Sequence, residues 1–452
     1  MYFTGTLYWI TRVMVVYGDL QTWVAVLVNA LLIAYLALFP ALFAVVMRRL
    51  LIVYGARVLM AAPVVWVATE LGRTHLFGGF PWALLGYSQA TTLPVAQLAS
   101  LLGVYGVSAL VASVSAAAAM SVATRSLRDR GTAMGSVAVL LLAVTAWGSS
   151  RVSRAELTRA GEPLQVGLIQ GNVDQSNKIL SARAASIFQD YLRMTRQAIG
   201  AGAELVMWPE SSTPFMFDED RPAAEQVRTL ARQARVPILL GSDEVEWREQ
   251  NGRKVPDKYY NSAFLVRSDG TTAGVYRKIH LVPFGEYVPL KGLLFFAAPL
   301  VEAVGAGFAA GDEATLLPVG AHRLSVSICY EIVYPDLVGQ FVRGGSELLT
   351  TITNDAWFGA TSAPYQHFAQ ASMRAIENGR YLVRSVNTGI SGVVDPYGRV
   401  LAQTDLFTPA VVVHPVRFLK ELTVYARVGD VFAYASVVMT LMLLVLARRR
   451  IQ

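Results

Sequence analysis

The chain has 452 residues, of which 54% are hydrophobic and only 16% are charged, whereas soluble domains average ~25% charged residues. The formal net charge is +7, but many arginines cluster between apolar runs instead of forming one basic stripe, which argues against a nucleic-acid-binding protein. The single cysteine, Cys329, excludes an intramolecular disulfide.

The charged residues are unevenly distributed along the chain. Residues 1–150 contain eight Arg, three acidic residues and no Lys, whereas the other 302 residues contain 60 of the 71 charged residues. This asymmetry predicts lipid as the solvent of the first third and water as the solvent of most of the rest.

Five apolar stretches are predicted to form membrane-spanning helices, which need ~20 apolar residues each. They are residues 20–47, 50–69, 104–123, 132–148 and 430–447. The uncharged segment 74–124 is too long for one span, so its first part is predicted to be a re-entrant or interfacial loop. That loop contains the aromatic-rich sequence GGFPWALLGYSQ. One helix would suffice to anchor a soluble enzyme, so five spans favour a membrane part that handles a lipid.

Three arginine clusters predict the orientation of these spans. They are Arg48 and Arg49; Arg125, Arg128 and Arg130; and Arg448 to Arg450. Positively charged loops stay in the cytoplasm, so residues 151–428 and the amino terminus are predicted to lie outside it. An external amino terminus without a signal sequence is unusual, and we expect further spans upstream in a longer chain.

Beyond residue 150 the pattern is that of an α/β domain, because short β-rich runs alternate with amphipathic stretches. The predicted strands are 165–170, 205–208, 237–240, 263–266, 324–329, 348–353 and 382–386, and the predicted helices are 183–200, 222–235 and 364–379. The expected organisation is a membrane region at 1–150, an extracytoplasmic domain at 151–428, and a last span with a basic tail at 429–452.

Three segments place reactive side chains at predicted strand ends. ELVMWPESS contains Glu210, LSVSICYEIVYPD contains Cys329, and YRKIHLVPFGEYVP contains Lys278 and Glu286. Each has an ordinary alternative when taken alone, since such residues can be a helix cap, a small core residue, a solvated lysine or a structural salt bridge. Their combination is far more specific than any one of them.

Glu in WPES, Lys in RKIHLVPFGEYVP and Cys in CYE, in that order, resemble the Glu-Lys-Cys triad of the carbon-nitrogen hydrolase (nitrilase) superfamily. HLVPFGEYVP, ICYEI and TNDAWFG, flanked by membrane spans, are similar to its apolipoprotein N-acyltransferase branch. The resemblance implies a multi-span α-helical membrane bundle that carries an α-β-β-α sandwich. Some members have Trp where this chain has Ile179, so that acyl-chain contact is not expected here.

The residue types suit acyl transfer through a thiol. Cys329 is the predicted nucleophile, Glu210 the base, and Lys278 the cation that favours the thiolate and stabilises the oxyanion. Glu286, Glu331 and Tyr330 are expected to support these groups, although ordinary structural salt bridges would explain the two glutamates nearly as well. The five His residues show no ligand spacing, so no metal or organic cofactor is predicted.

The resemblance implies a two-step reaction in a bacterial inner membrane, with the catalytic domain in the periplasm. Cys329 would take an acyl chain from a phospholipid, and the amine of a diacylglyceryl-modified apolipoprotein would accept it. The expected partners are these two substrates and membrane lipids, with no nucleic acid, and the enzyme is expected to be a monomer. An amidase that uses water as acceptor and a catalytically inactive lipid receptor or transporter are the alternatives.

Water must be kept from a thioester, and apolar segments are candidates for the covering lid. These are 214–217 (PFMF) and 293–300 (LLFFAAPL), with the individual candidates Trp208, Phe215, Phe217, Trp357 and Phe358. Core packing is the competing explanation for each of these aromatic residues.

The predicted orientation can be tested with fusions to a reporter enzyme that is active only outside the cytoplasm. A reporter fused after Arg151 should be active and one fused after Arg128 should be inactive, because the span between them crosses the membrane once. The opposite pattern would contradict the orientation inferred from the arginine clusters.

Overall fold

The fold is that of a computed structural model, which describes residues 1–174, 181–283, 285–287 and 307–450. Ile179 and the candidate lid segment 293–300 lie outside the described residues. The elements named below all belong to the described part of the chain.

The first third of the chain is helical, and two more helices follow the last strand. The helices are α1 (Tyr2–Thr6), α2 (Trp9–Val16), α3 (Thr22–Tyr54), α4 (Ala62–His75), α5 (Leu93–Ala96), α6 (Ala99–Ala123), α7 (Leu127–Arg154), α12 (Val424–Val428) and α13 (Val431–Arg449). Four of them, α3, α6, α7 and α13, are long and apolar enough to cross a membrane. They correspond to the predicted spans 20–47, 104–123, 132–148 and 430–447.

The remaining predicted span, residues 50–69, is wrong as a continuous helix. α3 runs through Arg48 and Arg49 and stops at Gly55, whose φ of +71° is a conformation that glycine adopts without steric cost. Long arginine side chains can reach towards the headgroups, so the pair does not end the helix. A 3-10 helix (Ala56–Ala61) then leads to α4. The 14 residues of α4 extend only ~21 Å, less than the ~30 Å hydrocarbon core.

The uncharged segment between α4 and α6, which the sequence analysis predicts to be a re-entrant or interfacial loop, folds as turns and short helices. α6 is interrupted at Gly103 (φ +68°), so its regular part begins at Val104, the predicted first residue of this span. A Cβ atom at position 103 would lie 2.5 Å from the Tyr425 ring, so only glycine fits there.

Two six-stranded sheets form the α/β domain. Their strands are β1 (Pro163–Gln170), β2 (Leu205–Met207), β3 (Ile238–Gln250), β4 (Arg253–Val266), β5 (Thr272–Arg277), β6 (Leu317–Val319), β7 (His322–Ile328), β8 (Leu348–Thr353), β9 (Leu382–Val386), β10 (Gly392–Val394), β11 (Val400–Gln403) and β12 (Ala410–Arg417). The first sheet has the order β12-β1-β2-β3-β4-β5, and the second has the order β11-β10-β9-β8-β7-β6. All seven predicted strands are present. The sequence patterns miss five others, of which β6 and β10 have only three residues each and so show no periodicity.

The sheets pack face to face between two layers of helices. These helices are α8 (Ser181–Gly200), α9 (Arg221–Ala234), α10 (Pro335–Arg343) and α11 (Ala363–Asn378). Leu168 and Met207 of the first sheet pack in one cluster with Ile328 and Ile352 of the second, whereas alternate residues of the first sheet pack against α8 and α9. The Ser385 hydroxyl donates to backbone carbonyls of β1 and β2 and ties the sheets together. The predicted α-β-β-α sandwich is confirmed.

Trp208 and Phe217 occupy core positions on the helix side of the first sheet, rather than the substrate-facing positions predicted for them. Both side chains are fully buried. Trp208 Nε1 donates to Thr195 Oγ1 at 2.8 Å, and its ring lies 5.0 Å from that of Tyr191. The Phe217 ring packs 5.3 Å from that of Phe264. The alternation of side chains along β2 turns Trp208 towards α8, which the local sequence does not reveal.

Truncation of Trp208 should therefore destabilise the domain as a core substitution does. We expect Trp208→Ala to lower the free energy of unfolding by ~3–5 kcal/mol, the usual cost of a large buried aromatic residue. The comparison is Trp357→Ala, since Trp357 is only partly buried and should cost less. Chemical denaturation in detergent gives both values, and equal losses would contradict the core assignment.

Candidate active site

Three predicted catalytic residues lie directly beyond the ends of strands. Glu210 follows β2 after a Trp-Pro pair, Lys278 is the first residue after β5, and Cys329 is the first residue after β7. β2 and β5 belong to the first sheet and β7 to the second. The residues therefore meet where the two sheets face each other.

Lys278 is buried between two carboxylates. Its Nζ lies 2.8 Å from Glu286 Oε1 and 3.4 Å from Glu210 Oε1, and its side chain is 1% exposed. Burial lowers the pKa of this ammonium, but the two carboxylates and Cys329 together raise it by more than burial lowers it. The pKa of Lys278 therefore lies above its usual range. Lys278 consequently remains charged at neutral pH.

A side chain that the sequence analysis missed holds both carboxylates in place. Asn261 Nδ2 donates to Glu210 Oε1 at 2.7 Å and to Glu286 Oε1 at 3.1 Å. The other carboxylate oxygens accept backbone N–H groups, Glu210 from Asn354 and Glu286 from Val282, each at 2.8 Å. These donors turn one oxygen of each carboxylate towards the lysine. Asn261 lies in the middle of β4, and no local motif distinguishes it.

Cys329 begins a 3-10 helix (Cys329–Val333) with a backbone φ of +54°. Burial of the thiol raises the pKa of Cys329, the Glu210 carboxylate raises it further, and the Lys278 ammonium lowers it, with a net increase. The thiol is therefore protonated at neutral pH and needs a base in order to react. Glu210 is the carboxylate that acts most strongly on this thiol.

Glu331 links the two strand ends that carry the lysine and the cysteine. One of its oxygens accepts from Tyr276 OH at 2.7 Å and from Ile279 N–H at 2.6 Å, and the other accepts from Ile328 N–H at 2.6 Å. Burial raises the pKa of Glu331 to about 7, against the effect of these donors. These contacts are those of a structural support within the site.

Tyr330 connects the nucleophile turn, which is the 3-10 helix Cys329–Val333 that begins with the predicted nucleophile, to the membrane part, which is the helical residues 1–154. Its ring stacks on Trp82, with centroids 6.3 Å apart and planes 13° from parallel. Trp82 belongs to the loop between α4 and α6, and its Nε1 donates to Gln366 Oε1 at 2.7 Å. The Tyr334 hydroxyl, at the end of the same turn, donates to the Gly78 carbonyl at 3.3 Å. The candidate site therefore lies at the junction with the membrane part.

Of the predicted lid residues, Trp357 and Phe358 lie at this junction. Phe358 packs on Trp82 at 5.9 Å, and Trp357 packs on Tyr17, which follows α2, at 5.0 Å. Phe215 is partly buried and packs on Phe188 of α8 at 5.0 Å. Phe215 thus lies on the helix side of the first sheet, with Trp208 and Phe217.

Comparison with known proteins identifies the family. Residues 165–418 match the carbon-nitrogen hydrolase family, and residues 1–117 match the apolipoprotein N-acyltransferase N-terminal domain. An apolipoprotein N-acyltransferase of Geobacter metallireducens is 41% identical, with 99% of this chain and 85% of the relative aligned. One from Methylococcus capsulatus is 36% identical, with coverages of 93% and 81%. The chain belongs to the apolipoprotein N-acyltransferases.

This membership confirms the resemblance inferred from the motifs, and it makes the chain an acyltransferase. The four apolar helices agree with a membrane protein. Among solved structures, an amidase from Nesterenkonia sp. aligns with 61% of this chain and 97% of its own, with a TM-score of 0.45 and 19% identity.

The charges around the acyltransferase thiol predict opposite pH shifts in two variants. Glu210→Gln removes the carboxylate that raises the Cys329 pKa, so the thiol should ionise at lower pH. Lys278→Gln removes the ammonium that lowers this pKa, so ionisation should need higher pH. The rate of alkylation by iodoacetamide against pH reports this directly, because the chain has one cysteine.

Glu313→Gln is the matched control, because this carboxylate is exposed and its loss should leave the profile unchanged. Shifts in the same direction for Glu210→Gln and Lys278→Gln would show that these two groups do not flank the thiol as described.

Proposed function

We propose that this enzyme transfers an acyl chain from a membrane phospholipid, through a thioester on Cys329, to an apolipoprotein. The acceptor is the α-amine of a diacylglyceryl-modified amino-terminal cysteine. The family relatives are named apolipoprotein N-acyltransferases, and a thiol with a neighbouring carboxylate and ammonium suits acyl transfer to an amine.

The observation that carries this proposal is the contact between the nucleophile turn and the membrane part. Tyr330 stacks on Trp82, and Tyr334 donates to Gly78, so the residues that follow Cys329 touch the loop that leads into the apolar helix α6. Both proposed substrates are held in a bilayer by acyl chains. A nucleophile at this junction can meet both without either leaving the membrane.

In the first step Glu210 accepts the Cys329 thiol proton while the sulfur attacks the carbonyl carbon of the phospholipid ester. The resulting oxyanion faces the Lys278 ammonium; the Tyr330 N–H is a further candidate donor, because the first N–H groups of a helix lack intrahelical acceptors. The C–O bond then breaks, lysophospholipid leaves with the proton from Glu210, and a thioester remains on Cys329.

In the second step the acceptor amine attacks the thioester carbonyl and gives its proton to Glu210. The C–S bond breaks, and the Cys329 sulfur recovers a proton as the N-acylated product leaves. Water must be kept out between the steps, since hydrolysis would release the acyl chain. Trp357 and Phe358, with Trp9 of α2, Tyr17 and Trp82, are the described residues best suited to cover the site.

The proposed location is a bacterial inner membrane, with the catalytic domain on the periplasmic side. Two arginine clusters support this orientation: Arg125, Arg128 and Arg130 between the end of α6 and the first turn of α7, and Arg448 to Arg450 at the end of α13. We also expect the enzyme to act as a monomer, because one chain contributes the thiol, the base and the ammonium.

A covalent intermediate provides the test. Phospholipid alone should add one acyl mass to the peptide containing Cys329, release about one equivalent of lysophospholipid, and form an adduct that hydroxylamine removes. Cys329→Ala should form no adduct and keep its fold. Glu210→Gln should load more slowly than the wild type, because the thiol proton has no acceptor.

The same experiment separates this proposal from an amidase that uses water. Rapid lysophospholipid release without an amine, with many turnovers and no product amide when the amine is added, would favour hydrolysis. An adduct that forms only when the acceptor is present would rule out the two-step route through Cys329.

A further inference from the structure

A second buried polar cluster contacts Cys329 through its backbone carbonyl. His367, near the beginning of α11, places Nε2 3.2 Å from the Cys329 carbonyl oxygen. The His367 side chain is fully buried. The centroids of the Trp82 and Phe358 rings lie 5.4 Å and 5.9 Å from that of the imidazole. The imidazole therefore packs against the loop between α4 and α6 as well as against the α/β domain.

Two charged residues fix the orientation of this ring. Asp355 Oδ1 lies 3.0 Å from His367 Nδ1, and Arg384 binds both Asp355 Oδ2 at 2.8 Å and His367 Nδ1 at 3.1 Å. All three side chains are fully buried. Burial and the neighbouring Arg384 guanidinium lower the pKa of His367, while Asp355 opposes them.

The Cys329 carbonyl determines which ring nitrogen of His367 carries a hydrogen. A carbonyl oxygen can only accept, so Nε2 must carry a hydrogen in order to bond with it. This holds both for the doubly protonated ring and for the neutral ring that accepts from Arg384 at Nδ1. The opposite neutral form would direct a nitrogen lone pair at the Cys329 oxygen.

Cys329 needs such a contact, because its φ of +54° is unfavourable for a residue with a Cβ atom. Cys329 is the residue at which the chain passes from β7 into the 3-10 helix. Rotation about its N–Cα bond moves the carbonyl group and Cβ together, so a contact that holds the carbonyl also holds the direction of the side chain. The same contact fixes the orientation of the next N–H, which belongs to the same peptide plane. Strained backbone of this kind persists only where its surroundings hold it.

We propose that His367 is a positioning residue for the acyl-transfer reaction. Its Nε2–H holds the Cys329 carbonyl and thereby keeps the nucleophile in the left-handed conformation that directs Sγ towards Glu210 and Lys278. Asp355 and Arg384 hold the imidazole. This role rests on the proposed function only in that Cys329 is the nucleophile.

Two nearly isosteric substitutions isolate the hydrogen bond. The amide nitrogen in His367→Gln can occupy the place of Nε2 and donate to the carbonyl, whereas His367→Met fills similar space without a donor. Both lose the imidazole contacts, so any difference between them reports the donor alone. We expect His367→Met to form the acyl-enzyme on the order of 100-fold more slowly than wild type, as ~1 Å of misplacement can cause.

His367→Gln should stay within about tenfold of the wild-type rate, and the KM for phospholipid should be unchanged in both variants. Alkylation of Cys329 by iodoacetamide, corrected for the folded fraction, should rank the three proteins in the same order. Equal losses in the two variants, or a lower thermal midpoint with unchanged reactivity, would overturn the proposal.

The alkylation arm requires no lipid, so it gives an answer even if phospholipid is not the acyl donor. If His367→Met does not fold, His367→Leu replaces it, because leucine also fills the space of the ring without a donor. Cys329 should then react more slowly than in His367→Gln, and equal rates in these two variants would overturn the proposal.

Discussion

The buried ammonium of Lys278 is the constraint on which the catalytic arrangement depends. A charge removed from water must be paired and hydrogen-bonded, and Lys278 meets this requirement with Glu210 and Glu286. The two carboxylates are in turn bridged by Asn261. The pairing of this one ammonium thus brings together β2, β4, the end of β5 and the segment after it. The charges of Lys278 and Glu210 also act on the pKa of the Cys329 thiol.

The second sheet supplies Cys329, the proposed nucleophile, and the position of this residue depends on hydrogen bonds made by its neighbours and by its own backbone. Glu331 accepts donors from both sides of the sandwich, so the end of β7 cannot move independently of the end of β5. Cys329 itself adopts an unfavourable backbone conformation, which His367 supports through the carbonyl. The geometry of the reactive sulfur is therefore set by buried hydrogen bonds that do not involve the sulfur.

α11 connects the candidate active site to the membrane part. His367 lies near its beginning, and further along Arg374 and Glu377 form a buried ion pair. Arg374 also donates to the Tyr87 hydroxyl, and Glu377 accepts the Val104 N–H at the start of the regular part of α6. One helix therefore joins the nucleophile turn to a membrane helix, which suits an enzyme whose proposed substrates both reside in the bilayer.

The sequence by itself determined the α/β layout, four helices long and apolar enough to span a membrane, and the family. It also predicted the three candidate catalytic residues, because each of these features depends on a contiguous run of residues. Only the tertiary structure decided the partners of those residues. Asn261 meets a glutamate 51 positions away, and His367 meets a carbonyl 38 positions away. The local periodicity of hydrophobic residues carries no information about contacts between residues so far apart in the sequence. For the same reason Trp208 and Phe217 lie in the core and not in the predicted lid, since an aromatic residue near a reactive one in sequence can still point to the opposite face of the sheet.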